Sequence, residues 1–203
     1  TAEVVEGAFC KARGFEVDAK VIYGDTDSVM VSFGPDFPTD KAFDVGHRAA
    51  SLVSREFPAP VKLEFEKVYF PYLLMSKKRY AGVARVSPEE AGKLDAKGIE
   101  VVRRDWCALV RHVVQQSLDS LLLERSIDKA VITVKETLSA LRQGKVDHRF
   151  LVISKQLVRD GIEKYSAKQA HVELAERLRK RDPATAPQVG DRVPYVFVVG
   201  EGK

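Results

Sequence analysis

A short acidic turn between two apolar stretches constrains the fold of this chain more than any other feature of its sequence. Residues 17–23 alternate between apolar and other side chains, as a half-buried strand does, and residues 28–33 form a second run rich in apolar residues. Gly24 and Asp25 lie between the two runs and are typical turn residues. The sequence therefore predicts an antiparallel hairpin that carries Asp25 and Asp27 at its tip.

One residue separates the two aspartates of this turn, so in an extended chain both carboxylates project to the same side. Such hard anionic oxygens suit Mg²⁺, which takes one or two protein carboxylates and completes its shell with water and phosphate. Two such ions, roughly 3.5–4 Å apart, activate an attacking hydroxyl and stabilise the leaving oxygen in phosphoryl transfer. The same residues also fit a plain turn in which Asp25 bonds its own backbone. The pair alone leaves both interpretations open.

The rest of the first half predicts an α+β layer of antiparallel strands with helices to one side. The opening helix is expected to end at Gly14, which can adopt a left-handed conformation. A second helix is expected to begin with a Thr39 cap and to run to about Phe57. Two strand patterns follow, at residues 62–69 and 72–75.

The second half is mainly helical in pattern. Apolar stripes predict three helices and a last strand, over about residues 106–122, 127–141, 167–181 and 193–199. A composition shift near residues 97–105 marks a candidate domain boundary. We therefore expect two domains, residues 1–100 with an antiparallel sheet and flanking helices, and residues 101–203 with mainly helices.

Composition narrows the classes of protein further. Apolar residues make up 45% and charged residues 31% of the chain, which is typical of a globular protein. No apolar run approaches the roughly 20 residues that span a bilayer, so no membrane partner is expected. Cys10 and Cys107 stand alone and favour buried thiols in a reducing compartment over zinc ligands or a disulfide.

Charge is unevenly distributed along the chain. Residues 1–100 hold 14 Lys and Arg against 16 Asp and Glu, whereas residues 101–203 hold 19 against 13. A basic half beside an acidic half suits a polyanionic partner, although random variation in surface charge gives the same counts. The chain opens without Met in a helical pattern and closes on a strand pattern, so we expect an internal piece of a longer protein.

Several strings, taken in order, resemble one enzyme family. Residues 21–30, VIYGDTDSVM, resemble the third palm motif of family B DNA polymerases. Residues 63–74 and 76–82 are similar to the stretch that follows this motif in the delta-type catalytic subunit, and residues 168–177 and 190–195 are similar to its thumb. The resemblance covers nearly the whole chain, and the strings together are highly specific.

The resemblance implies the C-terminal part of a polymerase palm over residues 1–100 and an incomplete thumb over residues 101–203. It implies a replicative, template-directed DNA polymerase that adds deoxynucleotides to a primer end with two Mg²⁺ ions. Asp27 would bind both ions directly, Asp25 would support them, and Glu66 would lie close by. Thr26 and Asp27 would also contact the nucleotide.

The resemblance also implies a duplex-binding surface. Lys77, Lys78, Arg79 and Tyr80 match the basic hairpin that contacts primer-template DNA in this family. The helical half adds further candidates, namely Lys155, Lys168, His171 and Arg192. A Lys-Lys-Arg run is otherwise a solvated turn, and His171 otherwise a plain helix-face residue. Positive side chains near phosphates and minor-groove acceptors give binding that tolerates sequence.

Other partners and parts follow only from the resemblance: accessory replication subunits, a sliding clamp and a nuclear location. The first palm motif, the fingers, the exonuclease and any iron–sulfur or zinc module are not found in these residues. The chain would hold half of a metal site, so we expect it to be inactive by itself. Two alternatives remain, a different nucleotidyl transferase or cyclase and a catalytically inactive, DNA-binding polymerase paralogue.

Overall fold

The computed structural model describes residues 1–159 and 164–198. The chain divides into two compact units, Thr1–Lys97 and Gly98–Lys203, close to the boundary expected at residue 100. The palm and thumb roles of the two units remain predictions.

Two helices and two antiparallel sheets make up the first unit. Its elements are α1 (Ala2–Ala8), β1 (Lys20–Gly24), β2 (Val29–Ser32), α2 (Thr39–Ser54), β3 (Val68–Ser76), β4 (Arg79–Arg85) and β5 (Lys93–Lys97). Strand β1 pairs with β2, and β3, β4 and β5 form a separate three-stranded sheet in that order. The predicted α+β class is confirmed, with the strands divided between two sheets.

An apolar core joins α1 and α2 to the start of β1. Val5 and Val53 are 2% and 1% exposed and pack in one cluster with Phe9, Val45 and Ala49. Each fully buried side chain of this size contributes about 1.5–3 kcal/mol relative to an exposed one. This core therefore fixes the two helices behind the hairpin.

Helix ends differ from the sequence predictions. Helix α1 ends at Ala8, before the expected Gly14. Gly14 instead follows a short 3₁₀ turn, Lys11–Arg13, and has the expected left-handed conformation with a φ of 80°. The predicted Thr39 cap is wrong, because Pro38 occupies the N-cap position and Thr39 is the first helical residue. Helix α2 also ends at Ser54, before the expected Phe57.

The predicted strand over residues 62–69 is wrong for most of its length, since β3 begins at Val68. The backbone N–H of Leu63 donates to the Ser54 hydroxyl at 2.8 Å, so a side chain of α2 takes the place of a neighbouring strand. Burial still alternates, with Leu63 and Phe65 partly buried and Glu64 and Glu66 exposed. The pattern therefore identified the buried face and not the backbone pairing.

Helices and one short sheet form the second unit. Its elements are α3 (Ala108–Leu118), α4 (Ile127–Arg142), β6 (Ile153–Gln156), α5 (Ala170–Arg181) and β7 (Arg192–Tyr195). A π-helical turn, Asp119–Leu123, continues α3, and β6 pairs with β7 in antiparallel register. The strand expected over residues 193–199 is found as β7 but ends at Tyr195, and Val199 lies outside the described residues. Its pairing with β6 was not predicted.

No described helix has the length and apolar character that crossing a membrane requires.

Replacing Gly82 tests how tightly the three-stranded sheet is packed. A Cβ at Gly82 would lie 2.8 Å from Tyr69 Cδ1 and 3.0 Å from the Pro71 carbonyl oxygen. We expect Gly82→Ala to lower the free energy of unfolding by roughly 1–3 kcal/mol, measured by urea denaturation. Gly7→Ala in α1 is the control, because no atom lies within 4 Å of the added Cβ. Equal unfolding midpoints for the two variants would contradict this packing.

Candidate active site

The acidic turn closes the β1–β2 hairpin. Gly24 pairs with Val29, and the backbone N–H of Asp25 donates to the Ser28 carbonyl at 2.9 Å. The predicted hairpin with both aspartates at its tip is therefore confirmed. Residues 25–28 belong to no strand, so the extended chain assumed for the two carboxylates is wrong.

Three residues donate hydrogen bonds to the Asp25 carboxylate. The Lys78 ammonium donates to both of its carboxylate oxygens, at 2.9 and 2.8 Å. The backbone N–H of Thr26 donates to Oδ1 at 2.9 Å, and the Tyr23 hydroxyl donates to Oδ2 at 3.3 Å. The Lys78 hydrogen bond, followed by that of Thr26, lowers the pKa of Asp25 below its ordinary value. The carboxylate is therefore ionised at neutral pH and already paired with a cation.

Lys78 reaches Asp25 from the turn between β3 and β4. Ser76 pairs with Arg79, so Lys77 and Lys78 form a two-residue turn. Lys78 has a φ of 61°, which is uncommon for a residue other than glycine. Its backbone N–H donates to the Tyr23 hydroxyl at 3.0 Å, and Asp25 raises the pKa of its ammonium. The basic turn is thus bound to the acidic turn through both backbone and side chain.

Asp27 is left open to solvent. It is exposed, and among the described contacts no hydrogen bond or ion pair involves its carboxylate. Its charge nevertheless contributes to the raised pKa of Lys78. Thr26 is also exposed, with its backbone N–H bound to Asp25. The turn therefore presents one free carboxylate beside one that is neutralised.

Glu66 lies just before β3, and its side chain is 77% exposed. Its carboxylate is 3.2 Å from the Lys67 ammonium. Within residues 1–159 and 164–198, no group of three or more acidic, His or Cys side chains is placed to hold a metal ion. By donor chemistry Asp27 fits Mg²⁺, since its oxygens are hard and open, whereas Lys78 covers those of Asp25.

Four tyrosines connect the hairpin to the three-stranded sheet. The Tyr80 ring centre lies 5.8, 6.2 and 5.7 Å from those of Tyr23, Tyr69 and Tyr72. The Tyr72 hydroxyl is 2.7 Å from the Met30 sulfur on β2, and burial raises the pKa of Tyr72 to about 12. Tyr80, predicted to bind DNA, therefore packs inside this cluster.

The sequence did not identify Asp95 as part of this region. Its Oδ2 accepts from the Tyr69 hydroxyl at 2.6 Å and from the Lys67 ammonium at 3.1 Å, and Lys97 lies 3.4 Å from Oδ1. Burial opposes ionisation, but the hydrogen bonds from Tyr69 and Lys67 outweigh it and lower the pKa of Asp95. The only indication in the sequence that Asp95 is paired is the presence of Lys93 and Lys97 on either side of it.

The candidates in the second unit differ in accessibility. Lys168 is exposed, whereas Lys155 is partly buried in β6. His171 is 4% exposed, and burial, with the Lys155 charge, lowers its pKa. Arg192 donates to Ser154, to the Arg104 carbonyl at 3.1 Å and to Asp105 at 3.3 Å. His171 and Arg192 therefore already serve the internal structure of this unit.

Comparison with known proteins decides the family. The model of DNA polymerase family B matches residues 1–203. The chain belongs to DNA polymerase family B. It is 54% identical over 198 residues to the DNA polymerase delta catalytic subunit of Oryza sativa subsp. japonica, covering 98% of this chain and 18% of that protein. The corresponding protein of Candida albicans is 53% identical over 199 residues, covering 98% of this chain and 19% of its own length.

This family B chain thus spans about 18% of the length of the relatives it matches. The similarity to delta catalytic subunits is confirmed by further relatives, including that of Mesocricetus auratus at 51% identity over 199 residues. The acidic and basic turns both lie within the matched region.

Removing the Lys78 charge tests the pairing of the two turns. Lys78→Met should raise the pKa of Asp25 toward its ordinary value of 3.8, because the largest cause of the lowering is lost. A carboxylate with a lowered pKa stabilises the fold above its ordinary pKa, and that contribution disappears as the pH falls through the lowered value. The stability lost in Lys78→Met should therefore be largest at neutral pH and smallest in acid.

Carboxyl NMR titration and thermal unfolding across pH would measure both effects. Lys77→Met is the matched control, because it removes a neighbouring charge that does not contact Asp25 in the described structure. An unchanged Asp25 titration in Lys78→Met would exclude the ion pair.

Proposed function

We propose that this chain is part of the catalytic subunit of a replicative DNA polymerase of the delta type. That polymerase extends a primer 3′ end along a template by metal-dependent phosphoryl transfer. One observation carries the proposal: an open Asp27 lies beside an Asp25 bound to Lys78, in a chain that matches family B along its whole length. Primer-template DNA and deoxynucleoside triphosphates are the proposed substrates.

Each residue of the acidic turn has a distinct proposed role. Asp27 is the direct Mg²⁺ ligand, because its carboxylate is exposed and unoccupied by other protein groups among the described residues. Asp25 supports the site by binding Lys78, which holds the acidic turn against the basic turn. Thr26 lies at the nucleotide side of the turn. When bound, Mg²⁺ helps a primer hydroxyl to attack the nucleotide phosphate and stabilises the leaving oxygen.

The wider assignment follows from the family resemblance. Residues 1–100 serve as part of the palm and residues 101–203 as part of the thumb. The first palm motif supplies another essential aspartate from outside these residues, so the isolated chain does not synthesise DNA. Accessory subunits, a sliding clamp, a nuclear location and an iron–sulfur or zinc module belong to the complete protein.

The duplex-binding surface centres on the basic turn. Lys77 is exposed, Lys78 keeps a 64% exposed side chain, and Lys168 is exposed on the second unit. Such cations bind phosphates without reading sequence. Arg79 and Lys155 remain secondary candidates because both are partly buried.

Loss of Asp27 should abolish synthesis by the complete polymerase. We expect Asp27→Ala to reduce primer extension by roughly 10³-fold or more, the scale on which one charge-stabilising group acts in phosphoryl transfer. Primer-template affinity should stay close to that of the wild type, since Asp27 repels phosphate. Asp36→Ala is the control, as it removes another exposed aspartate of the first unit.

Normal extension by Asp27→Ala would exclude the proposed metal ligand. If neither the wild type nor the variant extends a primer while both bind it, the inactive DNA-binding paralogue becomes the better description. A parallel loss of affinity and of thermal stability in Asp27→Ala alone would indicate misfolding.

Lys77 provides the cleaner test of DNA binding, because removing Lys78 would also free Asp25. Lys77→Ala in the complete polymerase should weaken binding to all duplex sequences alike and lower the slope of log affinity against log salt by about 0.9. Lys20→Ala, an exposed lysine at the start of β1, is the control. A change in preference at a single base position would instead indicate base recognition.

A further inference from the structure

Glu66 lies on a segment, residues 61–67, that pairs with no strand. Phe65, the residue before Glu66, packs against α2. The Phe65 ring centre lies 5.9 Å from that of Phe43 and 4.5 Å from that of His47. Gly46 makes this contact possible, because a Cβ there would lie 2.4 Å from the Phe65 ring. The residue before Glu66 is therefore tightly fixed.

The residue after Glu66 is fixed from the opposite direction. The Lys67 ammonium contacts Asp95 at 3.1 Å and Glu66 at 3.2 Å, so it bridges the two carboxylates. Asp95 also accepts from the Tyr69 hydroxyl at 2.6 Å. Lys67 and Asp95 are only 21% and 24% exposed, whereas Glu66 is 77% exposed. The partly buried ion pair of Lys67 and Asp95 thus contacts the exposed carboxylate of Glu66.

Asp95 does not need these contacts to hold its own strand. Five residue pairs already join β5 to β4. The Asp95 side chain instead reaches past β4 to β3, which is not its neighbour in the sheet. Gly82 of β4 pairs with both Asp95 and Tyr72, and a Cβ there would lie 2.8 Å from Tyr69 Cδ1. The absence of a side chain at Gly82 therefore leaves room for the Tyr69 ring beside the strand that separates it from Asp95.

We infer that Asp95 is a positioning residue for the metal-dependent reaction: by holding Lys67 it fixes the direction in which Glu66 presents its carboxylate. The inference rests on the proposed function and on the family resemblance, which implies that Glu66 lies close to the catalytic ions. Asp95 touches neither nucleotide nor metal in this scheme. Its effect passes through Lys67 to Glu66.

The test measures the Mg²⁺ concentration that gives half-maximal primer extension by the complete polymerase. Asp95→Ala and Glu66→Gln should each raise it roughly tenfold, as loss of an outer partner does at metal sites. The double variant should show no further increase, because both changes break the same series of contacts from Asp95 through Lys67 to Glu66. Lys67→Met removes the bridge from its other end and should also raise the midpoint, even though the loss of a cation beside Glu66 by itself favours Mg²⁺ binding.

Two controls separate positioning from support of the fold. Asp95→Asn keeps an acceptor for Tyr69 and Lys67 and should recover much of the Mg²⁺ response. Glu16→Ala removes an exposed carboxylate that is paired with Lys41 and should leave the response unchanged. A purely structural Asp95 would lower thermal stability and primer-template affinity without moving the Mg²⁺ midpoint.

Each outcome decides one point. Shifts that multiply in the double variant, or Asp95 variants with a normal Mg²⁺ midpoint, overturn the inference. A normal midpoint in Glu66→Gln, with no extension by Asp27→Ala, overturns the inference and leaves the polymerase proposal standing. Extension by Asp27→Ala overturns the proposed function itself.

Discussion

The ion pair between Lys78 and Asp25 is the interaction on which the candidate site depends. It joins two turns that are more than fifty residues apart in the chain, and both carboxylate oxygens take part. The Tyr23 hydroxyl reinforces it by donating to Asp25 and accepting from the Lys78 backbone. The left-handed backbone of Lys78 persists because these contacts determine the turn from several sides.

A second set of polar contacts surrounds Asp95 of β5. In both sets a lysine pairs with an aspartate, and a tyrosine hydroxyl donates a hydrogen bond to the same aspartate. The rings of those two tyrosines, Tyr23 and Tyr69, both contact the ring of Tyr80. Water screens the two pairs differently, since the Lys78 side chain is 64% exposed, whereas those of Lys67 and Asp95 are 21% and 24% exposed.

Local patterns in the sequence predicted what depends on local chemistry. The hairpin around Asp25 followed from alternation and turn residues, and the left-handed conformation of Gly14 followed from its backbone freedom. The strand over residues 62–69 failed because the Leu63 amide donates to the Ser54 hydroxyl, nine residues earlier, and not to a neighbouring strand. Asp95 and the Lys78 ion pair were missed for the same reason. Contacts between remote side chains leave no periodic signal, so only the three-dimensional structure reveals them.

The two neighbouring lysines of the basic turn, Lys77 and Lys78, differ in their contacts. An ammonium group has three donors, and Lys78 directs two of them at Asp25, which leaves one for any other acceptor. Lys77 is exposed in the same turn and keeps its donors available to solvent. In the proposed polymerase, Lys77 therefore contributes mainly to phosphate affinity, whereas Lys78 links the position of the DNA to the charge of Asp25. In that proposal the two adjacent lysines have different roles, because only Lys78 contacts the acidic turn among the described residues.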